Sequence, residues 1–302
     1  MSTRSLQSDE VEHFHTTLSN WGRWGPEDQL GALNFITPAV RAAAAASVRS
    51  GRAVSCARTL PTQPAVDNPT PVAHHMIGTA TEGGGADYIG VASHGYATSH
   101  IDALCHIFHG PHLYNGYPIE TVTAHGALEL GIHHLADGVI GRGVLLDIPS
   151  QRGVPALAPG DAIYPEDLEE AASQSGLTVG AGDILLVRTG RWAWRRDHGP
   201  WEPHEALAGL HASCLPWLHE REVSVLGSDG VSDVVPSGVA GLRLPIHSVA
   251  IPTMGVHLLD NLDLDRLAST CQEEQRHTFL VTIAPLVLFR GTASPINPIA
   301  LF

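Results

Sequence analysis

Apolar positions in this chain fall in short blocks rather than in long periodic stretches. Gly143-Val144-Leu145-Leu146-Asp147-Ile148 and Asp183-Ile184-Leu185-Leu186-Val187-Arg188 are continuous apolar runs, the pattern of strands buried on both faces. Ala53 to Cys56, Tyr88 to Ser93, Glu222 to Leu226, Pro245 to Ile251 and Thr278 to Leu288 read as further strand segments, the last a long one. Helical signals are fewer. Thr37-Pro38 supplies an N-cap and a first-turn proline for an alanine-rich helix through about Val48, which Gly51 closes. Tyr164-Pro165-Glu166-Asp167 leads into a helix through about Gln174, and Asp263 starts another. Short strands outnumber helices, and no low-complexity linker separates two halves. The pattern predicts an α/β fold, a single domain with a mixed, barrel-like β-sheet flanked by helices. Residues 1–20 read as a helical or flexible N-terminal arm, and residues 21–302 as that single domain.

Composition narrows the function. The 302 residues carry a formal charge of −14, which argues against nucleic acid, because phosphate binding needs clustered cations. All 17 basic residues are arginine. The lack of lysine excludes Schiff-base chemistry and a P-loop lysine. Cys56, Cys105, Cys214 and Cys271 fit neither a zinc-knuckle spacing nor a redox pair and read as buried free thiols. The polar N-terminus lacks the apolar core of a signal peptide, and no run reaches the ~18 apolar residues of a membrane helix. The expectation is a cytoplasmic protein with a small-molecule substrate, no membrane and no nucleic acid.

Candidate chemistry concentrates in His94-Gly-Tyr96-Ala-Thr98-Ser-His100-Ile-Asp102-Ala-Leu-Cys-His106. Residues i and i+2 of a strand project from one face, so His100 and Asp102 share a space. Ile101, Ala103, Leu104 and Cys105 are apolar and predict that the strand is buried, where ionisable groups must be paired, bonded or metal-bound. His94 has the right parity, but a two-residue step along an extended strand is ~7 Å, so without a bulge it does not reach the same place and reads as a bystander. Elsewhere, His109 and His112 sit in an irregular loop where they either line a site entrance or are solvated. His133, His134, His204, His211 and His219 read as structural. His257 is one residue out of phase with Asp260 on a strand. Asp229 and Asp233 follow a strand end, where either can hydrogen-bond a catalytic histidine or turn the chain, and the turn reading is preferred.

The motif resembles the signature of the cyclase-type metal hydrolases, which include kynurenine formamidase and isatin hydrolase, with the pattern His-x-Gly-Thr-His-x-Asp-x-Pro-x-His. Aligned on Asp102, His100, Asp102 and His106 match. Tyr96 stands at the first His, Thr98-Ser99 at the Gly-Thr pair and Leu104 at the Pro. Trp24-Gly-Pro-Glu-Asp-Gln-Leu-Gly-Ala-Leu-Asn34 resembles the N-terminal signature of longer members. His247 and Asp260-Asn261 occupy the places of a later His and Glu-Asn pair. The resemblance implies a swivelling β/β/α fold and a homodimer or homotetramer. It also implies metal binding by His100, Asp102, His247 and Asp260, with proton transfer by His106.

The Tyr96 departure leaves three outcomes open, because a phenol with a pKa near 10 is a poor zinc ligand. One is a Zn2+ or Mn2+ ion held by those four residues. Another is weak or absent metal, and the third is a chemistry that uses Tyr96. The leading expectation is a metal-dependent hydrolase of a small amide, lactam or lactone, of formamidase, lactamase or lactonase type, with His106 as general acid and base. The alternative is a metal-independent cyclase, dehydratase or tautomerase working with Tyr96 and His106. Trp24 and Tyr96 are the candidates for substrate contact; the two tryptophans Trp21 and Trp24 read either as a substrate wall or as anchors of the arm.

Overall fold

Strands that are apolar on both faces belong in the middle of a sheet with helices over them. The computed structural model describes residues 6–302 and places them there. Nine strands form one mixed, curled sheet: Ala53–Ser55 (β1), His100–Asp102 (β2), Val139–Asp147 (β3), Ile184–Arg188 (β4), Val225–Ser228 (β5), His257–Asp260 (β6), Thr278–Ile283 (β7), Ala293–Pro295 (β8) and Ile299–Leu301 (β9). Their order is β1-β9-β7-β3-β4-β5-β6-β2-β8. The central β3, β4, β5 and β6 run parallel. The pairs flanking them on both sides are antiparallel. Val144 to Leu146, Ile184 to Val187, Val225, Leu226, Leu258 and Leu259 are wholly buried in this core.

The helices are Ser8–Thr17 (α1), Pro38–Ala46 (α2), Ile148–Arg152 (α3), Pro165–Gln174 (α4), Arg191–His198 (α5), Cys214–Glu220 (α6), Pro245–Val249 (α7) and Asp265–Glu273 (α8). α2 lies on β3, α8 on β1, and α1 against α7. Thr37 caps α2 as its sequence predicts, its hydroxyl accepting from Val40 N at 3.2 Å. Of the expected N-terminal arm, residues 6–20 include α1, and residues 1–5 lie outside the described part of the chain. All four cysteines are buried and free. Among the described residues, no helix is long and apolar enough to cross a membrane.

Two segments differ from the sequence expectation. Pro245 to Ile251 is not a strand but α7, running into a π-helical turn over Ala250–Met254. Proline favours a first helical turn, and the free N–H groups of that turn are accepted by a carboxylate distant in sequence, described below. The strand expected to reach Leu288 stops at Ile283, because Pro285 cannot donate to a ladder. Leu286 to Phe289 are then exposed.

Gly143 shows how tightly the sheet is covered. It pairs with Phe279 across β3 and β7, and a Cβ at this position would fall 2.2 Å from the buried Phe279 ring. Gly143→Ala is therefore expected to cost about 1–3 kcal/mol through overpacking, read as a lower urea midpoint at unchanged slope. A midpoint equal to wild type would mean that Phe279 has room to move.

Candidate metal centre

The register of two short strands assembles the floor of the site. In the antiparallel β6–β2 pair Asp260 stands opposite His100, so both side chains and that of Asp102 lie on one face. All three are buried. α7 carries His247 onto the same face. The carboxylate of Asp233 accepts from the backbone N–H of Ile246 (2.6 Å) and of His247 (3.2 Å), which caps the first turn of α7. Asp233 Oδ2 also accepts from His247 Nδ1–H at 2.6 Å. His247 Nε2 is left 3.3 Å from Asp260 Oδ2 and 3.7 Å from Asp102 Oδ2. Asp233 is thus no mere turn residue; it is the buried group that orients His247.

His94 also reaches this floor, against the arithmetic of an extended strand. Only His100–Asp102 is strand; the chain before it bends at Gly95, whose φ of +133° favours glycine. Two buried side chains hold the bend. Asn261, in the left-handed region at φ +56°, donates through Nδ2 to the carbonyls of Gly95 (2.8 Å) and Thr98 (3.2 Å). Arg191 donates to Asn261 Oδ1 (2.6 Å) and to the Tyr96 carbonyl (2.7 Å). Arg191 is itself placed by Asp229, which accepts from the N–H groups of Thr189, Gly190 and Arg191 at the start of α5. Asp229, expected to turn the chain, is a helix cap. The folded-back His94 brings Nδ1 to 3.0 Å from Asp102 Oδ1, while its Nε2 meets Thr292 Oγ1 at 3.1 Å.

His247 and His100 each have Nδ1 engaged and Nε2 turned inward, whereas His257 belongs to neither donor group. His100 Nδ1–H donates to the Thr98 carbonyl at 2.8 Å, leaving Nε2 3.5 Å from Asp102 Oδ1. His257 Nδ1–H donates to the Asp102 carbonyl, and burial pulls its pKa down to about 4. His106 stacks on His94 with ring centroids 3.8 Å apart and sets Nε2 4.0 Å from Asp102 Oδ1. The His94 and His106 side chains keep 34% and 26% exposure, so they form the open rim over the buried floor.

The donor set fits a divalent cation. Both Asp102 oxygens, Asp260 Oδ1 and His94 Nδ1 are buried with no hydrogen-bond partner, a cost that proteins rarely leave uncompensated. Burial alone would raise the Asp102 carboxyl, yet His94, His100, His106 and His247 hold it well below the usual carboxylate range. Burial would likewise lower His247, but Asp260 and Asp233 outweigh it and raise its pKa well above the ordinary value. The cluster calls for positive charge. Two groups of donors lie within 4.8 Å of one another, His94–His100–Asp102 and Asp102–His247–Asp260, and they share Asp102. Outer partners that fix each ring by its second nitrogen are the usual support of metal-binding histidines.

Other residues singled out in the sequence lie elsewhere. The Tyr96 hydroxyl accepts from Arg243 Nη2 at 2.7 Å and lies 3.2 Å from His204 Nδ1. Burial raises its pKa, which Arg243 and His247 partly oppose. Trp24 is not brought to the cluster: its ring meets Phe35 edge-on at 5.0 Å, beside Arg23, whose guanidinium pairs with Glu222. His109 faces α1 rather than this floor. Arg191 escapes sequence reasoning, since a buried arginine carries no local pattern; the sequence points to Asn261 and Asp233 without showing what they bond.

Comparison with known proteins agrees with this geometry. The family model described as "Putative cyclase" matches residues 13–233. The solved structure of a novel cyclase is 32% identical, covering 95% of this chain and 99% of that one, with a TM-score of 0.87. Isatin hydrolase A from Ralstonia solanacearum shares the fold at 22% identity, 88% and 98% coverage and a TM-score of 0.59. A protein from Bacillus stearothermophilus described as a predicted metal-dependent hydrolase shares it at 16% identity, 82% and 97% coverage and a TM-score of 0.52. No curated protein matches the chain.

The bend that carries His94 rests on Arg191. Arg191→Met removes one buried and one part-buried hydrogen bond and leaves Asn261 Oδ1 and the Tyr96 carbonyl without that donor, so stability is expected to fall by about 2–4 kcal/mol in urea unfolding. A loss below about 0.5 kcal/mol would show that Asn261 alone suffices.

Proposed function

The chain belongs to the cyclase family, and from that premise we propose that it is a metal-dependent hydrolase of a small amide, lactam or lactone. One observation carries the reading: buried, unpartnered carboxylate oxygens of Asp102 and Asp260 converge with the inward nitrogens of His94, His100 and His247. His100, Asp102, His247 and Asp260 hold the ion, and His94 adds a fifth donor in place of the histidine that Tyr96 replaces. Because Asp102 belongs to both donor groups, the site has room for one ion or two. Mixed imidazole and carboxylate donors suit Zn2+ or Mn2+. Once bound, a divalent ion polarises a carbonyl and lowers the pKa of a coordinated water.

The proton work falls to His106. Burial and the neighbouring His94, His247 and His100 imidazoles bring its pKa to about 4, against the upward pull of Asp102. It is therefore neutral at pH 7 and able to take a proton from water and return it to the leaving group. His94 and Asp102 hold its ring at the partly exposed rim, where a substrate can enter. Tyr96, close enough to the floor to feel His247 and Asp260, and its partner Arg243 are assigned to substrate contact; their donors suit a carbonyl or carboxylate oxygen. Self-association is part of the reading too: Leu286, Val287, Leu288 and Phe289 are all more than half exposed, an unusual apolar run for a monomer surface.

Three outcomes test the proposal. Dialysis against a chelator should abolish hydrolysis of a panel of formamides, lactams and lactones, and Zn2+ or Mn2+ should restore it; turnover that survives metal removal would falsify the metal reading. His106→Ala should lower kcat by about 10²–10⁴-fold at unchanged metal content by mass spectrometry, since general acid–base catalysis supplies about that factor. Loss of metal in the same variant would make His106 a ligand instead. In the pH profile, a lowered pKa keeps the base unprotonated to lower pH. The acid limb of kcat/KM should accordingly fall below the ordinary histidine value near 6.5, and a limb at or above it would contradict the role.

A further inference from the structure

A second group of metal-type donors lies apart from the floor just described. Glu12 and His15 are three residues apart on α1 and so project from one face of the helix. His109 comes from the loop after β2, and its backbone is fixed by a reciprocal pair of hydrogen bonds with His112 (2.8 and 3.0 Å). One donor atom from each of Glu12, His15 and His109 lies within 4.8 Å of the others. Tetrahedral zinc spaces its ligands by about 3.3 Å, so modest side-chain rotations would close the set. His109 Nε2 is already 3.7 Å from Glu12 Oε1.

Three further features point to a cation. His15 Nδ1 is engaged by Thr253 Oγ1 at 2.5 Å, which leaves Nε2 as the free nitrogen, the same outer-partner arrangement seen on the floor. The His15 and His109 rings are stacked with centroids 3.5 Å apart, a packing that disfavours two imidazolium charges and from which each ring would turn to share an ion. Burial and His109 pull His15 down to about 4, in keeping with that. The three donors border a cleft of about 550 Å3 that also presents Asp9, His13, His112 and Trp21. Two imidazoles and one carboxylate leave coordination positions open toward this cleft for water or a small anionic ligand.

We propose that Glu12, His15 and His109 form a second divalent-metal site, of two-histidine-one-carboxylate type, that ties α1 to the loop following His106. The two imidazoles select zinc, cobalt or nickel over magnesium or calcium, which prefer oxygen ligands alone. An ion here would join three parts of the chain: α1, the 108–112 loop and the π-helical turn that continues α7.

The test is zinc stoichiometry of the full-length chain, stripped by chelator and dialysed against ZnCl2, with metal counted by mass spectrometry. His15→Ala and His109→Ala should each bind one zinc fewer per chain than wild type, and Glu12→Gln should bind that ion more weakly. Thr253→Val, nearly the same shape, should weaken it by about tenfold through loss of the outer partner. His13→Ala should bind as wild type. The difference between wild type and variant does not depend on whether the Asp102 floor holds zinc, so failure of either site can be told from failure of the other. Equal zinc in wild type, His15→Ala and His109→Ala overturns the proposal, as does loss of the ion in His13→Ala. Should His15→Ala not fold, His109→Ala on its loop decides alone.

Discussion

Asp102 is a carboxylate in the wrong place for a carboxylate. It is buried, its nearest donor is His94 Nδ1 at 3.0 Å, out of good hydrogen-bond alignment, and four imidazoles surround it. A charge in that position is sustained only by opposite charge close by. Most of the neighbouring architecture answers that demand. β6 and β2 pair in the register that sets Asp260 opposite His100, and Asp233 caps the helix that delivers His247. The Asn261 and Arg191 side chains fold the chain back so that His94 arrives beside the same carboxylate.

The supports are more polar than a core usually tolerates, and each is fully engaged. Asp229 and Asp233 are wholly buried, burial raises both carboxyls, and each is met by backbone N–H groups at the start of a helix. The caps thereby serve two ends at once, since they satisfy helix termini and fix the residues that define the site. α5 receives Arg191 in its first turn and α7 receives His247 in its first turn. Short helices of five to eight residues would be marginal alone, and distant carboxylates make them definite.

The site divides into a closed floor and an open rim. His100, Asp102, His247 and Asp260 are shielded from water, which strengthens every electrostatic contact among them. His94 and His106 sit stacked at the opening, where one ring can be supported by the floor and the other can meet a substrate. Asp260, with a shorter side chain than the glutamate of the family pattern, still lies 3.3 Å from His247. His94, two residues upstream of Tyr96, places an imidazole beside His100 and Asp102.

How much of this the chain revealed depends on range. Alternation along His100-Ile101-Asp102 set two side chains on one face, and the apolar neighbours correctly announced burial, because both are properties of consecutive residues. The continuous apolar runs of β3 and β4 and the proline-led starts of α2 and α4 were legible for the same reason. His94 was not, since its distance from Asp102 depends on a bend held from residue 261 and, through it, from residue 191. Nor was the helix at Pro245, whose cap lies at Asp233, nor the buried purpose of Asp229. The sequence by itself determined which residues could carry the chemistry and the fold class that would hold them. The tertiary structure alone decided which ones meet, because contacts between residues far apart in the chain set both the bend and the caps.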